Sequence, residues 1–426
     1  MARTLDVYLR RDLVGNLIQD DHGEMLFSYA PDWLANGISI PLSQSLPLRA
    51  EVFSRRECRG FFAGILPEES NRELVARNLG ISARNDFAML EQIGGDCAGA
   101  VTFVPAGTPL PQQEDRYRQL SDSELTDLLK ELPRRPLLAG DADIRLSLAG
   151  AQDKIAVKVK DGKIAVPLGG APSSHILKPA NERFPGLVFN EAFCMRLAGL
   201  VGLPVAKVQT GNADGIDYLL VERYDRHAGT RRGNGWAFPY TERLHQEDFC
   251  QALGIPPETK YQNEGGPSLK QCFALLREAS DFPVDDLRFL CDAVIFNFLI
   301  GNHDAHGKNF SLLYSGLGSL LGRRTSLAPF YDLLSTVFYP ALTKKMAMKI
   351  GGEYESAKIM PRHFETFAEE AGLAKPIVRK RVGELAQAVM RNLDKTDISS
   401  STVHDLAELI RNRCQQAQDD FLRDGA

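Results

Sequence analysis

The sequence predicts an α+β chain of two lobes, β-rich in its first half and helical in its second. Short alternating apolar runs separated by Gly- and Asn-containing turns crowd the N-terminal part. Two further runs, KIAVKV and KIAVP, are joined by Asp161-Gly162, a strong hairpin signal. Downstream, apolar residues fall at helical spacing, as in Leu287, Leu290, Val294 and Phe298. The expected division is a β-rich part over 1–105, a second β-containing part over 106–225 and an all-α lobe over 226–426.

Each element has its reason. LDVYLR, NLIQD, EMLFSYA and GISIPLS read as strands between turn residues. A helical part begins near Ala63, and LPEESNRELVARNLG has Pro and acids early and Gly80 at its end. Residues 106–115, AGTPLPQQED, are Pro-rich and polar, a linker. RLSLAGAQDK (145–154) leads into the Asp161-Gly162 hairpin, and SHILK is a strand ending at Lys178. A helix over 185–202, with Pro at its start and Gly at its end, carries Glu191. AKVQT and IDYLLVERYD are two more strands around a turn at Asn212–Gly215. After about residue 226 helices dominate, and Gly301 ends the helix of the Leu287–Phe298 stripe. FSLLY, a turn with Gly316 and Gly318, and SLAPFYD come next, and helices fill most of 361–426.

Composition bounds the function. The chain has 426 residues, too many for one ordinary core, with 44% hydrophobic and 25% charged residues, as in folded soluble proteins. A net charge of −5 gives no global drive toward nucleic acid or anionic membrane. Local basic runs at Arg231-Arg232, Arg323-Arg324 and Arg379–Arg381 are either DNA contacts or solvated faces. Seven widely spaced cysteines without a Cys-x-x-Cys predict reduced thiols and a cytoplasmic location. The charged N-terminus lacks a signal-peptide pattern, and AVIFNFLI, the longest apolar run, is too short to span a membrane.

The most informative stretch is GNHDAHGKNF, 301–310. His303 and His306 suggest a metal site, but Gly301, Asn302 and Gly307 argue against a helix that would align them. A polar turn explains such a loop in isolation. The alternative is phosphoryl transfer, in which an Asp serves the acceptor hydroxyl and an Asn five positions on holds magnesium. Asp304 and Asn309 have that spacing; two strands come after them, and Asp332 stands at the end of the second. Lys178 on a strand suits the α/β-phosphates, and Glu191 on the next helix suits an orienting acid. The small residues Ala149, Gly150 and Ala151 let backbone N–H groups approach phosphate, although neither a G-x-G-x-x-G nor a Walker loop is present. Four parts in one chain order carry this reading.

The runs SLAGAQDK, HILKP, VERYDR, QEDFCQALG with KYQNEGGPS, GNHDAHGKNFSLLY and YDLLS resemble the HipA family of bacterial toxin–antitoxin kinases, nearly end to end. The resemblance implies a two-lobed protein-kinase-like fold with a HipA-type N-terminal subdomain. It implies an ATP- and Mg2+-dependent serine/threonine protein kinase acting on a host protein, with glutamyl-tRNA synthetase as the known kind of target. It further implies growth arrest and persistence, a HipB-like helix-turn-helix antitoxin, and repression of operator DNA with that partner, nucleoid-associated when so bound. On this resemblance Asp304 is the catalytic base, and His306 or Lys308 stabilises the transferring phosphoryl group. Asn309 and Asp332 hold the metal. Ala149, Gly150, Ala151, Gln152, Asp153, Lys154 and Lys178 meet the phosphates. Glu222 and Tyr224 meet adenine through their backbone, and Asp225 meets ribose. Ser147 is the autophosphorylated residue, with Arg145 and Lys154 as receivers of its phosphate, and His303 is structural. The alternatives are a small-molecule kinase of aminoglycoside-phosphotransferase type and a DNA-bound co-repressor with weak kinase activity.

Overall fold

The structure is a computed structural model. It describes residues 2–423 except 111–115, 142, 234–235, 317–323 and 397–399. Two compact units are present: one comprises 1–179, 211–258 and 313–324, the other 180–210, 259–312 and 325–426. These units divide the chain at other points than the expected 105 and 225.

In the first unit, strands β1 (Arg3–Leu9), β2 (Asp12–Gln19), β3 (Met25–Tyr29) and β4 (Val101–Pro105) form an antiparallel sheet in the order β3-β2-β1-β4. Between β3 and β4 lie helices α1 (Pro31–Ala35), α2 (Arg55–Gly64), α3 (Glu69–Leu79) and α4 (Asp86–Ile93). Gly80 closes α3 in the left-handed conformation, as its position predicts. The expected strand GISIPLS is instead irregular. Pro41 removes a ladder donor, and side chains take the backbone groups: Tyr29 Oη accepts from Leu42 N, and Trp33 Nε1 donates to Ile40 O.

A second sheet contains β5 (Tyr117–Gln119), β6 (Ile155–Lys160), β7 (Lys163–Pro167), β8 (His175–Pro179), β9 (Val208–Ala213) and β10 (Ile216–Glu222), in the order β5-β7-β6-β8-β10-β9. Asp161 and Gly162 both take positive φ, 51° and 75°, the requirement of a type I′ turn between β6 and β7. One apolar core runs from Leu5 and Phe27 through Phe61 and Phe103 to Leu146, Ile155 and Leu220. That shared core joins residues 1–105 to the second sheet. Helix α5 (Asp122–Glu131) lies between β5 and β6, and α6 (Leu187–Leu200) comes after β8.

Beyond residue 226 the helical expectation fails first. Strands β11 (Arg226–Gly233) and β12 (Trp236–Arg243) form an antiparallel hairpin, and β13 (His245–Asp248) precedes α7 (Phe249–Ala252). The sequence signal for this hairpin is Asn234-Gly235 between two extended runs.

The second unit also holds α8 (Leu269–Ala279) and α9 (Pro283–Ile300). After strands β14 (Ser311–Ser315) and β15 (Arg324–Leu327) it contains β16 (Lys345–Ile350), which pairs with β17 (Glu353–Glu355). This hairpin adds strand structure to a lobe expected to be all-α. Helices α10 (Pro361–Ala371), α11 (Lys375–Asn392) and α12 (Ser401–Arg423) fill the C-terminal region as expected. Phe364 is central to the core here, with Phe298, Phe367 and Phe421 rings around it at 5.3, 6.1 and 5.4 Å. Gly318 and Arg323 fall outside the described residues. Among the described residues no helix is long and apolar enough to cross a membrane.

Candidate active site

The glycine loop of the first unit, residues 146–154, is fixed from outside its own sheet. Ser147 is fully buried; its Oγ donates to Ile65 O at 3.0 Å and its N–H to Asp96 O at 3.1 Å. The carbonyls of Ala149, Gly150 and Ala151 all meet protein donors. Lys154 Nζ reaches Ala149 O at 2.6 Å, Glu68 N reaches Gly150 O at 3.4 Å, and Asn71 Nδ2 reaches Ala151 O at 2.9 Å. Gly150 also forms a parallel bridge with Pro67, so the backbone of this loop is tied to the segment before α3. Gly150 has φ 100°, and a Cβ there would lie 2.7 Å from Lys154 Nζ, so glycine is required. A small pocket beside it is lined by Pro67, Asn71, Leu148, Gln152 and Lys154. Burial raises the Asp153 carboxyl above its ordinary range, against the opposing effects of Asn71 and Lys154. Arg145 does not face this loop as a phosphate receiver. Its guanidinium donates to the carbonyls of Glu91, Gln92 and Phe103, a structural clamp.

Lys178 is buried on β8, in register with Leu219 of β10. Glu222 ends β10 opposite His175, and the Tyr224 hydroxyl donates to Gln246 Oε1 on β13. Asp225 needs a correction. It is only 3% exposed, and its carboxylate accepts from Arg223 Nε and Nη2, Arg226 Nη1 and Gly99 N at 2.7–2.9 Å. Buried and held by two arginines in this way, it secures the chain after β10 instead of standing open to a ribose. Asp96 completes the network, contacting Arg226, Arg243 and Ser173 at 2.7, 2.9 and 2.8 Å. Burial alone would raise its pKa; Arg243, Arg226 and Arg223 override that and hold it well below the carboxylate range.

In the second unit, helix α9 ends at Gly301, φ 72°, and delivers the loop 301–310. Within this loop only Asp304 and Asn309 are partly accessible; the other eight residues, His306 and Lys308 among them, are buried. Asn302 organises it. Its Oδ1 accepts from Asp304 N at 3.1 Å, and its Nδ2 donates to Asn297 Oδ1 at 2.8 Å and to Asp332 O at 3.5 Å. The Tyr331 hydroxyl donates to Lys308 O at 2.8 Å. Asp332 is therefore tied to the Asp304 loop from both sides of its own peptide. It is one of few non-glycine residues at positive φ, 53°, a strained conformation of the kind held at functional sites. Tyr261 donates its hydroxyl to Asp304 Oδ1 at 2.8 Å, and its ring meets the His306 ring edge-on at 5.4 Å.

His303 is structural, as expected. Its nitrogens contact Thr343 O at 3.1 Å and Ser356 Oγ at 2.7 Å, and burial lowers its pKa. Among the described residues no group of three His, Cys, Asp or Glu side chains is placed to hold a metal. Asn309 and Asp332 offer an amide and a carboxylate, hard oxygen donors that suit magnesium completed by water and phosphate oxygens. Glu191 is buried on α6, not solvated, and belongs to the second unit while Lys178 belongs to the first. Sequence reasoning misses Asn302, Tyr331, Tyr261 and Gln246. Tyr261 and Gln246 lie in the runs KYQNEGGPS and QEDF, to which spacing alone assigns no chemistry.

Comparison with known proteins is consistent along the chain. A family model described as the HipA N-terminal domain matches residues 5–104, and one described as a HipA-like C-terminal domain matches 146–393. The Sinorhizobium fredii protein Y4mE, which carries a provisional kinase name, is 48% identical over 428 residues, 97% of this chain and 98% of its own. The serine/threonine-protein kinase toxin HipA of Shewanella oneidensis is 30% identical over 400 residues, 91% of this chain and 87% of its own. In a solved complex of HipA, HipB and operator DNA from Shewanella oneidensis MR-1, the matching chain has a TM-score of 0.81 and 28% identity, covering 98% of this chain and 99% of that one. The fold is protein-kinase-like with mixed helix and strand content. This chain belongs to the HipA family of toxin–antitoxin kinases.

Proposed function

We propose that this chain transfers the γ-phosphoryl group of ATP to a serine or threonine hydroxyl of a host protein. The observation that carries the reading is the accessibility of Asp304 and Asn309 in an otherwise buried loop, with Asp332 tied to it through Asn302. Asp304 orients the acceptor hydroxyl and takes its proton as the new P–O bond forms and ADP departs. Asn309 and Asp332 hold Mg2+, which when bound neutralises charge on the phosphates. His306 or Lys308 steadies the group in transit. The loop of Ala149, Gly150, Ala151, Gln152, Asp153 and Lys154 receives phosphate oxygens. Lys178 neutralises the α/β-phosphates, and the backbone of Glu222 and Tyr224 meets adenine.

Ser147 is the proposed autophosphorylation site. Because it is fully buried on Ile65 O, a phosphate of about −1.5 to −2 charge there requires the loop to leave its seat, which disables it. By the same family reading, a HipB-like helix-turn-helix antitoxin binds the chain and the complex represses operator DNA. A tRNA synthetase for glutamate is the proposed kind of host target, and growth arrest and persistence the outcome.

The test is γ-labelled ATP with Mg2+ and a host lysate, comparing wild type with Asp304→Asn. Loss of the base should reduce labelling by roughly 10²–10⁴-fold. Equal labelling of one host protein by both would refute the assignment of Asp304. Peptide mapping of the labelled chain should place its own phosphate on Ser147.

A further inference from the structure

The hydroxyl of Tyr261 stands 2.8 Å from Asp304 Oδ1, donating to an oxygen of the proposed base. An O–H donor on that carboxylate is what an acceptor serine must itself supply. The phenol is held in place from several directions. Its ring meets His306 edge-on, and Lys260 Nζ lies 5.4 Å from the ring centroid. The loop behind it is tightly closed: Gly266 N donates to Tyr261 O at 2.8 Å, and Gly265 takes φ 105°. A Cβ on Gly266 would lie 2.5 Å from the carbonyl oxygens of Thr259 and Lys260, so only glycine fits. Gln262 Oε1 accepts from Lys349 N at 2.7 Å and pins the loop to β16. This is a fixed presentation of one hydroxyl to one carboxylate oxygen, by a loop 43 residues away in sequence.

From this geometry, and resting on Asp304 being the base, we infer that Tyr261 is a placeholder for the acceptor hydroxyl. Without a protein substrate, the phenol occupies Oδ1 of the base and competes with water for that oxygen. A substrate hydroxyl, brought by contacts elsewhere on its protein, displaces the phenol and donates to the vacated oxygen. Tyr261 is then a positioning residue that sets the choice between protein and water as acceptor. In the reaction it suppresses, water gives its proton to Asp304 as its oxygen bonds the γ-phosphorus. The bond to the β,γ-bridging oxygen breaks, and ADP and inorganic phosphate leave.

The test uses the full-length chain with ATP and Mg2+ alone. ADP release is measured alongside label incorporated into the chain. Tyr261→Phe keeps the ring and its contacts with His306 and Lys260 but loses the donor. Freeing the base from one hydrogen bond should raise ADP release relative to incorporated label by about two- to tenfold. A merely supporting tyrosine predicts the opposite pattern, both activities falling together with their ratio unchanged. That result, or ADP release no higher than wild type, overturns the inference. Phosphate found on Tyr261 itself also overturns it, since the phenol would then be an acceptor. Asp304→Asn separates the two readings. If that variant retains transfer, Asp304 is not the base; if it is inactive while Tyr261→Phe leaves the ratio unmoved, only the placeholder is wrong.

Discussion

Residues that meet neighbours close in sequence are legible from it; residues that meet distant ones are not. Asp304 and Asn309 declare themselves by their spacing within one loop. Glu247 shows the other case. It is buried on β13, and its partners arrive from 204 and 67 positions away: Ser43 Oγ and Tyr314 Oη each donate at 2.5 Å, and Gln44 N at 3.0 Å. No local pattern announces that arrangement. Burial pushes the Glu247 pKa up from its ordinary 4.5 to about 7, with the three donors opposing. The unfolded chain releases this proton near pH 4.5 and the folded chain near 7, so stability from this group is full below 4.5 and is lost as pH rises to 7. The difference corresponds to roughly 3 kcal/mol. Urea unfolding at about pH 5 and about pH 8 should show wild type losing that increment and Glu247→Gln lacking it. Comparing the two proteins cancels other titrations, such as that of buried His245. Parallel pH dependence in both would show that Glu247 does not titrate in this range.

At the scale of elements, periodicity and punctuation serve well where a turn residue stands at a chain reversal. Gly80, Asp161-Gly162 and Gly301 are legible for that reason. The β11–β12 and β16–β17 hairpins carry such residues too, Asn234-Gly235 and Gly351-Gly352, but a helical reading of everything beyond 226 passes over them. GISIPLS misleads because alternation mimics a strand even where side chains, not a neighbouring strand, satisfy the backbone. Gly301 joins element to site. It ends α9 in the left-handed region, and its carbonyl accepts from Thr336 N and Val337 N at 3.0 and 3.1 Å. A Cβ there would lie 2.3 Å from Val337 Cγ2. Gly301→Ala should therefore cost about 2–4 kcal/mol, combining left-handed strain with overpacking. Adding Val337→Ala should recover the overpacking share and leave the strain. Urea midpoints of the single and double variants measure this, and a Gly301→Ala protein as stable as wild type would show that the helix end relaxes freely.

For the whole molecule, charge and composition exclude classes but do not locate the units, because the chain passes between them repeatedly: 180–210 and 259–312 interrupt the first unit's sequence. Local reading has no access to such crossings, nor to the core that joins Leu5 to Leu220. The cysteines offer a measurement at this scale. All seven are buried, and none is joined in a disulfide. Burial pushes the thiols of Cys58, Cys97, Cys272, Cys291 and Cys414 up to about 12. At pH 8 about one in 10⁴ of such thiols is thiolate, and the thiolate is the reactive form. The native protein should therefore be silent to a thiol-reactive disulfide reagent over minutes. Cys58, Cys97 and Cys250 lie in the first unit, and Cys194, Cys272, Cys291 and Cys414 in the second. Each unit has its own apolar interior, so each can open as its own cooperative step. Along a urea gradient the reactive count should rise in two steps, of three and of four thiols, assigned by mass spectrometry of the labelled peptides. A single step of seven would show that the units unfold as one, and a thiol that reacts at once without urea would show that its burial is not maintained in solution.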